Sequence, residues 1–291
     1  MKRECRGGIE FSNAVFEYLS FSFESVFKDI LRSIEFDNSS FKLCPLVCGS
    51  LVEGLLTLKS DVDFALLIKG EPSDREMLII RKFLSIFLKK TEPTLKKEFE
   101  LKGFCHFSKF IRRSSRLMTP SRSNSASFRL LFYTFSRPLD VSSFTDILAS
   151  REDIKQFKLT FIKQLIPYYR GIGFNIKEFW RATPKSLLKL IQLGINHAIL
   201  MNVVNDSELI YLTSKNIFTK VNVLKEYLTN IDLEVLSEAI DVLLTLKELY
   251  RRHNMKRTSL KKLVTEGHIT RDATRIIIKA LRIASLLKSI Y

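Results

Sequence analysis

Two short apolar segments, joined by a Gly-Ser turn and an acidic pair, most constrain the fold of this chain. Residues 44–48 and 62–68 are apolar, include β-branched side chains and are bounded by turn-forming residues. Both segments are therefore predicted to be buried β-strands. Asp61 and Asp63 lie at the start of the second strand. Because alternate residues of a strand point to the same face, we expect both carboxylates to face the same way.

This acidic pair favours a bound cation. Two neighbouring carboxylates repel each other, and a cation between them relieves the repulsion. The expected cation is Mg²⁺ (or Mn²⁺), which carboxylates hold together with substrate phosphates. The competing interpretation is structural: Gly49 and Ser50 form an ordinary turn, and Ser60 and Asp61 form a cap or loop.

The order of these residues resembles that of the polymerase-β-type nucleotidyltransferase superfamily, in which a Gly-Ser turn precedes an Asp-x-Asp motif at the head of a strand. The resemblance implies an α+β catalytic domain with a small mixed β-sheet and helices, followed by an all-α domain. It also implies transfer of a nucleotide from an NTP. By resemblance, Gly49, Ser50 and Ser60 bind the nucleotide, and Asp61 and Asp63 are catalytic metal ligands.

The superfamily needs a third carboxylate on a neighbouring strand, and Asp140 is the candidate. Residues 128–142 are dense in aromatic and apolar side chains, which favours a strand. Asp140 lies between Leu139 and Val141 near the end of this segment. By resemblance it is a third metal ligand or the general base. The alternative is a turn residue that follows Pro138.

Two branches of the superfamily compete for this chain. The motif Gly-Ser-x-x-x-Gly-Leu followed by Ser-Asp-x-Asp resembles terminal uridylyltransferases and poly(A) polymerases, which extend RNA 3′ ends. Residues 57–61 and the second half also resemble bacterial uridylyltransferases, whose acceptor is a protein. Those enzymes usually have an arginine in place of Glu53 and a glutamate in place of Leu55. These departures leave open a catalytically inactive protein that binds nucleic acid or another partner.

The net charge limits which partners are expected, and the cysteine content limits which cellular compartment is expected. Lys and Arg number 47 against 31 Asp and Glu, a net charge of +16 that suits RNA or an NTP. A basic protein with solvated lysines is the plainer interpretation. The four cysteines lack Cys-x-x-Cys spacing, which predicts no zinc site and favours a reducing compartment. That compartment is predicted to be the cytoplasm. The N-terminus has basic residues but no apolar signal segment, and no apolar run is long enough to cross a membrane, so we expect neither a signal peptide nor a membrane partner.

We predict that residues 1–150 form the nucleotidyltransferase catalytic domain. Apolar residues at helical spacing predict a helix over 11–36, and a capping turn begins a second helix over 74–90 that a Glu-Pro pair ends. A strand is predicted over 96–107. The serine- and arginine-rich residues 108–127 predict a mobile basic loop.

Residues 151–291 are predicted to form a helical substrate-binding domain with a basic C-terminal region. Thr183 and Pro184 mark the start of a helix, and Gly194 marks a turn. Trp180 either stacks on a nucleic-acid base or belongs to the core.

A last helix is predicted to begin near Thr270. Its basic residues recur at three- and four-residue steps on one face, opposite an apolar face. The basic face is either a phosphate-tracking surface or an ordinary exposed face. Its members are Arg271, Arg275, Lys279 and Arg282.

Overall fold

The fold of the protein is given by a computed structural model. The described residues are 7–33, 41–105, 111–113, 136–139, 176–203, 208, 211–212, 214–252 and 258–289. They form eight helices and a small mixed β-sheet, so the chain has an α+β fold. The chain divides into two compact units, 1–159 and 160–291. The predicted domain boundary after residue 150 lies outside the described residues.

The described part of the first unit contains two long helices and five strands. In chain order these are α1 (Gly8–Ser33), β1 (Phe41–Cys48), β2 (Asp61–Gly70), α2 (Asp74–Lys97), β3 (Gly103–Phe104), β4 (Ile111–Arg113) and β5 (Ser136–Pro138). The strands predicted over 44–48 and 62–68 are confirmed as β1 and β2. The helix predicted over 11–36 is α1, shifted towards the N-terminus.

The sheet is built around β2. Strand β1 pairs antiparallel with β2, from Phe41 opposite Gly70 to Cys48 opposite Asp63. Strand β5 pairs antiparallel with the other edge of β1. The short strands β3 and β4 pair parallel with β2 on the edge away from β1. The first two residues of β2 therefore pair with β3, and β2 pairs with β1 from Asp63 onward.

Helices α1 and α2 pack against one face of this sheet. Alternate residues of β2 belong to the core on that face: Val62, Phe64, Leu66 and Ile68. The ring of Phe64 lies 5.3 Å from that of Phe87 in α2. Because side chains alternate along a strand, Asp61 and Asp63 face the opposite side of the sheet.

Helix α2 is longer than the sequence indicates. It continues through Pro93 to Lys97, so the prediction that a Glu-Pro pair ends it is wrong. Proline inside a helix removes one backbone hydrogen bond, but Leu95 in the following turn is fully buried, and this packing outweighs the local signal. Within the described part of the strand predicted over 96–107, residues 96–97 belong to α2 and the strand β3 covers Gly103–Phe104. Strand β4 lies within the segment predicted as a loop.

The second unit is helical in its described residues, in agreement with the sequence. Its helices are α3 (Ile176–Arg181), α4 (Pro184–Asn202), α5 (Ile217–Tyr227), α6 (Glu234–Arg252), α7 (Leu260–Thr265) and α8 (Arg271–Ser289). Helix α4 is central and contacts α5, α6 and α8. The predicted start of α4 is confirmed, because Thr183 Oγ1 accepts a hydrogen bond from the Ser186 amide and Pro184 is the first helical residue. None of the helices in the described parts of the chain is long and apolar enough to span a membrane.

Gly194 does not form the predicted turn, because it lies inside α4. A Cβ at this position would be 2.7 Å from the carbonyl oxygen of Ala284 in α8 and 2.9 Å from its Cβ. The absence of a side chain therefore allows α4 and α8 to approach closely. Glycine here serves helix packing rather than chain reversal.

The two faces of α8 follow the predicted pattern. The helix starts after Thr270, whose Oγ1 accepts a hydrogen bond from the Ala273 amide. The predicted basic residues are exposed, and Ala280 and Leu287 are buried. Two of the basic side chains form ion pairs: Arg275 with Asp272 at 3.1 Å, and Lys279 with Asp232 at 2.6 Å.

Candidate active site

The acidic pair and the Gly-Ser turn are neighbours in space. Asp61 and Asp63 are the first and third residues of β2. Asp63 lies directly opposite Cys48, the last residue of β1, and Gly49 follows Cys48 in the chain. The register of the two strands therefore brings the start of the turn to the Asp63 carboxylate.

Gly49 lies against this carboxylate so closely that no side chain fits. Its φ is +66°, a conformation that favours glycine. A Cβ at this position would lie 3.5 Å from Asp63 Cγ and closer still to Oδ2. Two separate constraints, backbone conformation and the nearby carboxylate, therefore require glycine here.

Residues 49–54 form a hydrogen-bonded turn. The Glu53 amide donates to the Gly49 carbonyl oxygen at 3.1 Å, and the Leu55 amide donates to that of Ser50 at 2.8 Å. Gly49 and Ser50 are half-buried, whereas residues 51–58 are buried. Gly49 and Ser50 are therefore the part of this turn that a ligand can reach from solvent.

Ser60 stabilises the loop that leads into β2. Its side chain is buried, and its Oγ accepts a hydrogen bond from the Thr57 amide at 3.2 Å. The Ser60 amide in turn donates to the Thr57 carbonyl oxygen at 3.1 Å. These contacts give Ser60 a structural role. Its predicted role in nucleotide binding stays a prediction.

Two residues that the sequence did not identify lie beside the acidic pair. The chain entering β3 runs along the start of β2, where the Lys102 amide donates to the Ser60 carbonyl oxygen at 3.0 Å. The Cys105 amide donates to the Val62 carbonyl oxygen at 2.8 Å. The side chains of Lys102 and Cys105 are thereby brought to Asp61 and Asp63 respectively.

Lys102 forms a weak ion pair with Asp61. The Lys102 Nζ lies 3.8 Å from Asp61 Oδ1, and the two side chains are 61% and 43% exposed. At that distance and exposure, water screens most of the attraction. Asp61 can therefore exchange this lysine for another cation at little cost.

Cys105 is a neutral hydrogen-bond donor to Asp63. Burial raises the pKa of the Cys105 thiol, and so do the charges of Asp63 and Asp61 and the hydrogen bond to Asp63, while Lys102 partly offsets the rise. The thiol consequently stays protonated at neutral pH and donates to the carboxylate. Cys105 is half-buried and forms no disulfide with a described residue.

The sequence contained only part of the signal for these two residues. The strand predicted over 96–107 includes both of them. Which strand it would pair with, and in which register, depends on long-range contacts that hydrophobic patterning does not encode. Lys102 and Cys105 could have been placed at the site only with that register known.

Asp140, the predicted third carboxylate, lies outside the described residues. On β5, Ser136 is opposite Cys48 and therefore level with Asp63. Leu139 follows the end of this strand, and its amide donates to the Pro45 carbonyl oxygen at 2.9 Å. No three His, Cys, Asp or Glu side chains group as a metal site within the described ranges. Asp61 and Asp63 are thus the carboxylates that the described geometry offers.

The donor set fits a hard divalent cation. Two carboxylates share one face of β2, and Asp61 is exposed. Mg²⁺ is typically held by one or two carboxylates, with water and phosphate oxygens completing the octahedron. Thiolate is the metal-binding form of cysteine, and the raised pKa of Cys105 disfavours that form. The site chemistry therefore favours Mg²⁺ or Mn²⁺ over a thiophilic metal.

Comparisons with known proteins do not supply a family. No protein-family model matches the sequence, and no curated protein matches it at a significant level.

Proposed function

We propose that the protein is a metal-dependent nucleotidyltransferase that transfers NMP from an NTP to an acceptor hydroxyl, with an RNA 3′ end as the acceptor. The observation that carries this proposal is the contact of Gly49 with the Asp63 carboxylate. A backbone without a side chain can approach a phosphate closely, and paired carboxylates supply the oxygen ligands of its cation. Here the two features are immediate neighbours.

Each residue has a defined task in this proposal. Asp61 and Asp63 would hold Mg²⁺ or Mn²⁺, which when bound neutralises charge on the triphosphate. Gly49 and Ser50, the half-buried end of the turn, would contact the phosphates through the backbone and a hydroxyl. Cys105 would fix the Asp63 carboxylate through its hydrogen bond.

The transfer exchanges one phosphorus–oxygen bond for another. The acceptor hydroxyl oxygen bonds to the α-phosphorus, and the bond from that phosphorus to the bridging oxygen breaks. Pyrophosphate leaves with the electron pair, and the hydroxyl proton passes to a base, the role predicted for Asp140. Positioning and charge neutralisation supply most of the rate enhancement in such reactions.

Positive charge supports RNA as the acceptor. The chain carries a net charge of +16. On α8, neither Arg271 nor Arg282 forms an ion pair with a described acidic residue, and both are exposed. Such side chains suit contacts with a phosphate backbone, which give affinity without sequence preference.

The test is transfer of label from each α-labelled NTP, with Mg²⁺ or Mn²⁺, into a mixture of RNA and cell-extract protein. Asp63→Asn should lower transfer by at least about 100-fold, because it removes a charged metal ligand. Asp29→Asn is the matched control, since Asp29 is exposed on α1 and its one ion pair among the described residues is with Lys90, at 3.5 Å. Both variants should keep the wild-type circular dichroism spectrum.

Two results separate the possible acceptors, and a third tests the site. Label in RNA supports the proposal as stated. Label in a protein band retains nucleotidyl transfer but makes the acceptor a protein. Transfer that persists at wild-type rate in Asp63→Asn would show that the site is wrong.

A second candidate function is a binding protein that keeps this fold without catalysis. The observation that favours it is that both carboxylates already have partners within the protein: Lys102 for Asp61 and Cys105 for Asp63. Metal-dependent NTP binding discriminates between the two functions. A protein that acts only through its basic surface gains no NTP affinity from Mg²⁺ and loses none in Asp63→Asn.

A further inference from the structure

We propose that a cavity between α3 and α7 in the second unit binds a nucleotide, with its base on Trp180 and its phosphate on Arg181 and Lys261. The cavity has a volume of about 480 Å³ and is lined by these three residues together with Val264 and Thr265. That volume lies within the usual range for small-molecule sites. The proposal does not depend on nucleotidyl transfer in the first unit.

The walls of the cavity are held by backbone contacts and by core packing. The Leu260 amide, at the start of α7, donates to the carbonyl oxygen of Ala182, just after α3, at 2.9 Å. Phe179 is 3% exposed and packs edge-to-face against Trp180, with ring centroids 5.1 Å apart. The buried Phe179 ring therefore holds the indole of Trp180 in place, while the indole itself is only half-buried. An anchored aromatic ring that still reaches a cavity is suited to stacking.

Two cations at this cavity lack a described counter-ion. Arg181 and Lys261 are exposed, and neither forms an ion pair with a described acidic residue. The neighbouring Lys262 differs, because its Nζ lies 3.5 Å from Glu266 Oε1. Uncompensated positive charge beside an apolar cavity favours a ligand that is anionic at one end and flat and apolar at the other.

A nucleotide combines these two properties. Its base offers a π-face for Trp180 and apolar contact for Val264, and its phosphate accepts hydrogen bonds from guanidinium and ammonium groups. The same chemistry is present in a free nucleotide and in each unit of a single-stranded RNA. The net charge of +16 is compatible with either source.

Trp180 reports on its own cavity, because it is the only tryptophan of the chain. The test is a titration of the full-length protein with nucleoside monophosphates and with decameric oligo(U) or oligo(A), followed by tryptophan emission. Ribose 5-phosphate and inorganic phosphate serve as base-free probes. We expect saturable quenching by nucleotides and none by the base-free probes. Quenching by mononucleotides identifies a free nucleotide as the ligand, and quenching by decamers alone identifies RNA.

Matched variants test the two cations. Lys261→Ala should weaken the affinity about tenfold, the effect of losing one charge-assisted hydrogen bond, and so should Arg181→Ala. Lys262→Ala should leave affinity unchanged, because that ammonium faces Glu266. An equal loss of nucleotide affinity in Lys261→Ala and Lys262→Ala would mean that only the overall positive charge matters, and it would overturn the proposal.

Other outcomes also decide the matter. Quenching by ribose 5-phosphate, which has no base, would show that base stacking is not the cause and would overturn the proposal. Quenching by an acidic Glu-Tyr copolymer but by no nucleotide would show that the ligand is a peptide, which would also overturn it. Asp63→Asn should quench as the wild type does, so a failed transferase site and a failed cavity are distinguishable. Loss of quenching in Asp63→Asn would assign the signal to the first unit and overturn this proposal.

Discussion

The candidate site of the first unit and the charged surface of the second are built in opposite ways. Asp63 stands at a fixed register position of β2 and touches the backbone of Gly49, so the site and the packing of the sheet use the same atoms. In the second unit, the close contact is apolar, where Gly194 meets Ala284, and the charged residues of α8 lie on its exposed face. Site chemistry is therefore coupled to fold stability in the first unit and separable from it in the second.

The largest effect on stability is expected from Gly194→Ala. The added methyl group would meet the backbone of α8 at 2.7 to 2.9 Å, and backbone cannot rotate away as a side chain can. Overpacking of this kind costs about 1–3 kcal/mol of unfolding free energy. Urea unfolding followed by the emission of Trp180, which lies in the second unit, measures the loss. If packing and surface charge are separable in the second unit, the folded variant should bind RNA as the wild type does.

Gly267→Ala is the control for this substitution. Gly267 has a φ of +74°, and a Cβ there would have nothing within 4 Å, so only backbone strain is introduced. Such strain costs about 1 kcal/mol. A Gly194→Ala variant no less stable than Gly267→Ala would contradict the close packing of α4 on α8.

Gly49→Ala is the corresponding substitution in the first unit, with an expected cost of about 1–2 kcal/mol from backbone strain and displacement of Asp63. Because the methyl group would meet the Asp63 carboxylate, Mg²⁺-dependent transfer should fall as well. Activity and unfolding midpoint measured on the same preparation test whether the two losses occur together.

Gly8→Ala provides the matched comparison within the first unit. Gly8 has a φ of +82°, and an added methyl group would have nothing within 4 Å, so the strain is similar and no carboxylate is touched. We expect a comparable loss of stability with activity retained. An equal loss of activity in Gly8→Ala and Gly49→Ala would contradict the proposed link between the Gly49 contact and the function of Asp63.

Local pattern predicted many of the elements but not the contacts between them, and it failed where those contacts decide the local structure. The period of two in β2 predicted that Asp61 and Asp63 share a face, and Thr183 with Pro184 predicted the start of α4. Gly194 misled as a turn signal, because its role depends on a helix that lies far away in sequence. Pro93 misled for the same reason: burial of the following turn is a tertiary effect.

A smaller and purely local change is expected at Cys105. Its pKa is raised in part by the charge of Asp63 and the hydrogen bond to it, so Asp63→Asn should lower that pKa and speed alkylation at pH 8. The rate is read from the Cys105 peptide by mass spectrometry, which separates this thiol from the other cysteines. Mg²⁺ should speed alkylation in the wild type and have no effect in Asp63→Asn. An identical pH–rate profile in the two proteins would contradict the contact between Cys105 and Asp63.

The smallest effect is expected from Asp232→Asn, which removes a surface charge from the second unit. The hydrogen bond from Lys279 is the main cause that lowers the pKa of Asp232. A lowered pKa in the folded state means that the stabilisation is present above the ordinary carboxyl pKa, about 3.9, and is lost as the pH falls through the lowered value. The difference in unfolding midpoint between wild type and Asp232→Asn should therefore be small at pH 7 and vanish in acid.

Since the side chains of Lys279 and Asp232 are both more than half exposed, the helices of the second unit should keep their packing without this ion pair. This is the result expected if the surface charge is separable from packing. A difference that grew in acid would mean that Asp232 takes part in the packing of the second unit, and the contrast with Asp63 would fail.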